Sequence, residues 1–180
     1  MKKKKNSLIA MAVVLILLVA AFIGIKQYNK VQANKEPEDT STFAVNDLIA
    51  DDITTVSYSY EGETFDFVKD GDTWYAVSDR ELSLTQYRIK ALATYMAPLT
   101  AERQIDDISD LAEYGLKLPS QTITVSTGSE EFTINVGDYN SLTDKYYVAI
   151  PGENRVYMVD SYTIGRYQVT LEDLIDEIEE

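Results

Sequence analysis

An uninterrupted run of eighteen apolar or small residues, 8–25, constrains this chain more than any other feature. A bilayer offers backbone amide and carbonyl groups no hydrogen-bonding partner, so a segment of this kind is satisfied in lipid only as a helix. Four lysines precede the run, and the positive-inside bias therefore places the N-terminus in the cytoplasm. The sequence predicts a cytoplasmic basic tail at 1–7, a transmembrane helix at 8–25 that contacts the lipid bilayer, and an extracytoplasmic location for everything that follows.

Two fates of the apolar run fit the sequence. It is either a retained signal anchor, which makes a single-pass protein of the cell membrane, or a cleavable export signal with a cut near Ala33. We favour the anchor because the run is longer than the usual apolar core of a signal and because Lys26 and Lys30 precede the candidate cut. Residues 26–46 are mostly polar and contain Pro37, so they are predicted to form a flexible tether.

Charge and missing residue types exclude several functions. Residues 36–180 hold all thirty Asp and Glu but only nine Lys and Arg, a net charge of −21 that lacks the cationic surface nucleic acids require. The chain has no Cys and no His, which excludes disulfides, thiolate or imidazole metal sites and His-based catalysis. We therefore predict no nucleic-acid partner, no cofactor, and no catalytic or metal-binding residues. A carboxylate-dependent hydrolase is the enzymatic alternative, although so many acids make some carboxylate pair inevitable.

Residues 47–180 are predicted to form an extracytoplasmic α+β domain with antiparallel or mixed sheets. Alternation with a period of two predicts three strands, at 54–60, 64–70 and about 74–77, joined by tight turns. The apolar stripe of a helix follows, comprising Leu84, Tyr87, Ala91, Leu92, Tyr95 and Met96. Ser83 and Gln86 stand in the capping-box relation at its start, and Pro98 ends the pattern.

The second half repeats this pattern. Strand signals recur at 121–127, 131–137, 145–150 and 155–160. A terminal helix is predicted from the spacing of Leu171, Leu174, Ile175 and Ile178. Thr170 with Asp173 would form an acidic capping box at its start. We interpret the pattern as two sub-units, about 47–105 and 106–180, and a degenerate duplication of a strand–strand–strand–helix unit is one explanation of it.

Between the halves, the stretch "LAEYGLKLPS" (111–120) is predicted to be a structural joint. A side-chain oxygen of Ser109 or Asp110 would cap a short helical turn, because it can accept a hydrogen bond from an unpaired amide. Gly115 would then adopt the left-handed conformation that stops a helix. Two leucines are expected to anchor the joint in the core, Leu116 and Leu118.

Tyrosines supply the candidate binding residues. Tyr75 and Tyr147 are expected to lie on the strand faces opposite to those of Trp74 and Tyr146. If exposed there, they would form an amphipathic patch suited to a protein or glycan partner. Burial of alternate strand faces would instead place such residues in the core.

Five short motifs follow one another along the chain. They are an Asp-Gly-Asp-Thr-Trp turn, the Tyr-Gly-Leu joint, a Gly-Asp pair, a Tyr-Tyr-Val strand and a Val-Tyr strand, at 70–74, 110–119, 137–138, 146–148 and 156–157. Their order resembles that of the bacterial family named domain of unknown function 4340 (DUF4340). The resemblance covers about residues 48–178. It implies a membrane-anchored or exported protein, and some members of the family are encoded beside transporter-like components associated with gliding or auxiliary export systems. It transfers no catalytic residue, because none is established for the family.

We therefore expect a membrane-anchored extracytoplasmic domain that acts as a non-catalytic binding or scaffolding module of an envelope or transporter-associated assembly. Its partner would be an envelope protein. The alternative is a secreted ligand-binding domain released by cleavage near Ala33.

Overall fold

Strands dominate the computed structural model, which describes residues 42–176. In chain order the strands are β1 (Phe43–Ala44), β2 (Thr55–Tyr60), β3 (Glu63–Asp70), β4 (Thr73–Ala76), β5 (Thr100–Ala101), β6 (Arg103–Asp106), β7 (Gln121–Ser126), β8 (Glu131–Asn140), β9 (Lys145–Ala149) and β10 (Arg155–Asp160). The α-helices of the described residues are α1 (Gln86–Met96) and α2 (Ser161–Gly165). Single 3-10 turns lie at Ala50–Asp52, Leu111–Tyr114 and Glu172–Leu174.

The predicted α+β architecture with antiparallel sheets is confirmed. Eight of the described strands form one sheet in the order β4-β3-β2-β7-β8-β9-β10-β6, and β1 pairs with β5 in a separate two-stranded sheet. The first hairpin turns at Glu61 and Gly62, whose φ angles of 52° and 85° match the twist of the strands they join. Strand β6 spans the predicted boundary near residue 105, and the division into sub-units stays a prediction.

One face of the sheet and one side of α1 form the main core. The centre of this face is fully buried and includes Val56 and Tyr58 on β2 and Ile123 and Val125 on β7. On the opposite face the central strands carry hydroxyl side chains that pair with one another, as between the Thr124 and Thr133 oxygens (2.9 Å). The sheet is therefore apolar toward α1 and polar away from it at its centre.

The joint between the two halves forms the predicted capped turn. The Asp110 side chain accepts a hydrogen bond from the Ala112 amide (2.9 Å), and Gly115 has a φ of 69°. Leu116 is buried in a small second cluster with Ala149 and Val156. These two partners have registers that place them on the face opposite to α1.

The expectation that Leu118 anchors the joint is wrong. Its side chain is 88% exposed. The reason is that Ser120, two residues later, already pairs with β8 through a hydrogen bond from its amide to the Val136 carbonyl (2.9 Å). The short link from Leu116 to this pairing lies at the surface.

The predicted capping box of α1 is also wrong. Thr85 is the N-cap residue. The Gln86 side chain instead accepts a hydrogen bond from the Trp74 amide (2.8 Å) and donates one to the Trp74 carbonyl (3.0 Å). Strand β4 lies at an edge of the sheet, where backbone groups are open to pairing with another chain. The side-chain amide of Gln86 occupies two of these groups, the amide and the carbonyl of Trp74.

The predicted apolar stripe of α1 is right for only part of its length. Helix α1 buries Leu92 and Met96 as expected, but the residues that join them in the core are Ile89 and Ala93. Tyr87 is 71% exposed. The buried face of the helix is therefore rotated relative to the predicted stripe. The side of the helix that carries Tyr87 is exposed and can line a surface groove.

The predicted terminal α-helix does not form over 171–176, the described part of its range. The amide and hydroxyl of Thr170 donate to the Asp173 carboxylate (2.9 and 3.0 Å), as the capping pattern predicts, but only a 3-10 turn follows. The Thr85 amide then donates to the Leu174 carbonyl (2.8 Å), and the Asp176 amide to the Ser83 carbonyl (2.8 Å). These backbone hydrogen bonds to the segment just before α1 replace the hydrogen bonds that a helix would make within itself. Residue 178 lies outside the described residues.

The predicted basic tail, transmembrane helix and most of the tether, 1–41, lie outside the described residues. Within 42–176, no helix combines the length and the apolar character that crossing a bilayer requires. The last part of the predicted tether is described, and it belongs to the fold. Phe43 and Ala44 pair with β5, and the Asn46 side chain donates to the Met96 carbonyl at the end of α1 (2.9 Å).

Candidate binding groove

The structure does not bring the two candidate tyrosines together. Tyr75 and Tyr147 lie on the same face of the sheet, but their strands, β4 and β9, are five positions apart, or about 24 Å at the usual strand spacing. The Tyr147 ring is half-buried and meets the Tyr114 ring edge-on at 5.1 Å. The Arg80 guanidinium lies 4.7 Å from the centre of the Tyr75 ring. A shared patch of these two tyrosines is therefore absent from the described surface.

A different feature has the form of a binding site, an open groove of about 460 Å³ between α1 and the chain that follows α2. We call it the α1 groove. It is lined by Tyr87, Arg88, Ala91, Leu92, Tyr95, Gly165, Arg166, Val169 and Leu174. Its volume lies in the range of small-ligand sites, and the buried side chains of Leu92 and Leu174 contribute an apolar floor.

Tyr87 lines the α1 groove and both of the depressions beside it. These two depressions have volumes of about 540 and 460 Å³. A tyrosine exposed in this way offers a large rigid surface and a hydrogen-bonding hydroxyl at low entropic cost. The three depressions together form an extended uneven surface across α1.

Arg166 is held in place by two tyrosine rings at one end of the α1 groove. Its guanidinium carbon lies 4.0 Å from the centre of the Tyr162 ring and 5.6 Å from that of Tyr95, and it donates a hydrogen bond to the Tyr162 hydroxyl. The two rings meet edge-on at 5.7 Å, and the Tyr95 hydroxyl donates to that of Tyr162 (3.2 Å). Cation–π contacts of this kind fix an arginine side chain without neutralising its charge.

Arg88 lies at the border between the α1 groove and the neighbouring depression. It donates to the Tyr87 hydroxyl (3.3 Å) and to the backbone carbonyl of Asp173. Hydrogen bonds from the amide and hydroxyl of Thr170, assisted by the charge of Arg88, lower the pKa of Asp173. A lowered pKa is the opposite of what a carboxyl general acid needs at neutral pH, so this carboxyl is not suited to donate a proton in glycoside hydrolysis.

Lys145 is the buried cation of the described residues, and it is fully engaged. Its ammonium nitrogen lies 2.9 Å from a Glu102 oxygen and 3.3 Å from an Asp160 oxygen. Burial lowers the pKa of this amine, but the hydrogen bonds and charges of the two carboxylates outweigh burial, and the net pKa is raised. A protonated, paired amine is not a general base, and Lys145 joins β9 to β10 and to the link before β6.

Sequence patterns could not have located the α1 groove. Apolar periodicity places Tyr87, Ala91 and Tyr95 on the buried stripe, because it does not distinguish a sheet-facing side from a groove-facing side. Arg166 follows α2, a helix of five residues for which the sequence carries no clear signal. The one sequence signal that points to Arg166 is that positively charged residues are scarce in this acidic region, although this signal does not locate the groove.

Comparison with known proteins places this fold in a family. Neither the curated proteins nor the solved structures contain a match to the chain. The model of a family described as a domain of unknown function (DUF4340) matches residues 74–177, which is more than half of the sequence. The matched segment includes α1, the joint at 111–120 and the residues of the α1 groove. The chain therefore belongs to the DUF4340 family.

Proposed function

We propose that this protein is a single-pass membrane protein whose folded region lies outside the cytoplasm and binds an envelope protein without catalysis. The membrane part of the proposal rests on the apolar run at 8–25 and the lysines before it. The acidic character of the region beyond it opposes close contact with anionic lipid head groups or nucleic acid. An anchored acidic domain is suited to meeting a protein at a distance from the bilayer.

The observation that supports binding is the exposed tyrosine that lines three adjoining depressions. Tyrosine and arginine are among the residue types that contribute most energy at the centres of protein interfaces, and both line the α1 groove. The apolar floor supplies area that a partner side chain would cover. The two adjoining depressions extend the surface beyond what a small molecule needs, which favours a protein segment.

The secreted alternative retains the same surface and differs only in the anchor. Cleavage near Ala33 would release the folded region with its α1 groove unchanged. The intact mass of the mature chain separates the two forms. A mass that includes residues 1–33 supports the anchored form.

A photo-crosslinking amino acid placed at Tyr87 is expected to capture a discrete partner in intact cells. The same group placed at Leu118 is the matched control, because that side chain is 88% exposed and lies in the joint, which packs on the face opposite to α1. The adduct at Tyr87 should be lost when Ala91→Trp fills the groove. An equal yield at both positions, or an adduct that survives Ala91→Trp, would overturn the proposed binding surface.

A further inference from the structure

The described lining of the α1 groove differs in charge type from the rest of the folded region. Residues 42–176 contain 24 Asp and Glu against nine Lys and Arg. Two of those nine cations, Arg88 and Arg166, line the groove, and no described residue of its lining is Asp, Glu, Asn or Gln. A random portion of this surface would be acidic. The described lining of the groove therefore places arginine side chains, and no carboxylate, beside an apolar floor.

Arg166 has no salt bridge to any described carboxylate. Arg80 provides the contrast, since it also lies over a tyrosine ring but is paired with Asp70 (3.1 Å). The Arg166 guanidinium donates to the Tyr162 hydroxyl and has five N–H donors in all, so further donors are available to a ligand. Guanidinium groups bind carboxylates in a paired, planar geometry.

We propose that the α1 groove binds an acidic peptide segment of a partner protein. A carboxylate of the segment pairs with Arg166, and an adjacent aliphatic or aromatic side chain covers the apolar floor around Leu92 and Leu174. This inference rests on the proposed function and specifies the chemistry of its partner.

The domain's own charge favours a peptide over other anionic ligands. An anionic membrane or a nucleic acid presents many charges to the whole acidic surface and is repelled by it. A short peptide can place one carboxylate beside Arg166, and it avoids most of the acidic surface, although the two adjoining depressions are themselves lined by carboxylates. A neutral glycan would find no carboxylate or amide side chain in the described lining of the α1 groove, where the side-chain acceptors are tyrosine hydroxyl groups.

Calorimetric titration tests the inference on the full chain in nanodiscs of zwitterionic lipid, with empty nanodiscs as the blank. The probe is an eight-residue peptide that alternates glutamate with leucine. We expect it to bind at low salt, and we expect the peptide with glutamine in place of glutamate to bind about tenfold more weakly or worse. Replacing leucine by serine should weaken binding as well, because the apolar floor is then left uncovered.

Two pairs of variants separate charge from shape. Arg166→Gln should lower the affinity for the glutamate–leucine peptide at least about tenfold, whereas Arg80→Gln should leave this affinity unchanged. Ala91→Glu should lower the affinity for the peptide more than Ala91→Gln does, because glutamine adds nearly the same volume without the charge. Equal affinity for the glutamate and glutamine peptides, or wild-type affinity of Arg166→Gln, would overturn the inference, as would the absence of any binding.

Three outcomes identify which proposal fails. Binding to vesicles that contain an anionic phospholipid, if lost in Arg166→Gln, would assign the groove to lipid and overturn the peptide inference. Absent peptide binding with a retained crosslink at Tyr87 would overturn only the acidic-peptide chemistry. Absent crosslinking at Tyr87 would overturn the proposed function itself.

Discussion

Gly137→Ala is expected to destabilise the folded region by about 3 kcal/mol or more and to lower Tm by about 10 °C. Gly137 is buried on β8, beneath the joint. A methyl group there would lie 2.1 Å from the Tyr114 carbonyl oxygen and 2.8 Å from a Leu116 side-chain carbon. The first contact is with backbone, which has no rotamer to move aside, so the joint itself would have to shift away from the sheet.

The measurement is thermal denaturation of the full chain followed by the fluorescence of its single tryptophan, Trp74, which is buried in the main core. Gly165→Ala is the matched control, because no atom lies within 4 Å of the added methyl group. That variant should keep the wild-type Tm. A Gly137→Ala protein with wild-type Tm would show that the joint does not pack on β8 as described.

Tyr167→Ala is expected to cost about 3 to 5 kcal/mol, because it removes a fully buried ring from the centre of the main core. The ring meets Tyr58 edge-on at 5.7 Å, and its hydroxyl donates to the Leu92 carbonyl of α1. Burial raises the pKa of Tyr167, so the hydroxyl stays protonated as a donor at neutral pH. Loss of this side chain removes the link between α1 and the chain that forms the far wall of the α1 groove.

Tyr167→Phe separates the ring from the hydroxyl. It keeps the ring contacts and should cost only about 1 kcal/mol. Urea denaturation at neutral pH compares the two variants with the wild-type chain. If Tyr167→Ala costs no more than Tyr167→Phe, the ring does not occupy the core position described.

The strands could be predicted from the sequence because their signals are local. Alternating residues define the pleat, and short turn sequences such as Glu61-Gly62 fix the register of the hairpin they close. The joint was predictable for the same reason, since Asp110 and Gly115 act on backbone within a few residues of themselves. The family motifs lie in these locally determined segments.

The predictions that failed depended on distant partners. The apolar residues after Thr170 have helical spacing. Instead of forming a helix, this segment makes backbone hydrogen bonds to Ser83 and Thr85, about ninety residues earlier. Gln86 was expected to cap its own helix and instead bonds Trp74 on an edge strand. No periodicity reports such contacts, because each depends on where the sheet places another part of the chain.

The α1 groove was hidden for a related reason. Its two walls come from α1 and from the segment that follows α2. Arg166 is recognisable as a candidate binding residue only once the fold places it beside Tyr95. The predicted candidates, Tyr75 and Tyr147, belong to two different strands and lie far apart in the sheet. A site assembled from two distant segments needs the fold before it can be recognised.

Cysteine accessibility tests most directly whether the folded region acts outside the cytoplasm. The chain contains no cysteine, so Leu118→Cys creates a single thiol at a highly exposed position, and Ser7→Cys creates one in the predicted cytoplasmic tail. Cells with an intact cytoplasmic membrane are treated with a maleimide that does not cross it. The account predicts labelling of Leu118→Cys in these cells and of Ser7→Cys only after lysis. Labelling of Leu118→Cys only after lysis would contradict it.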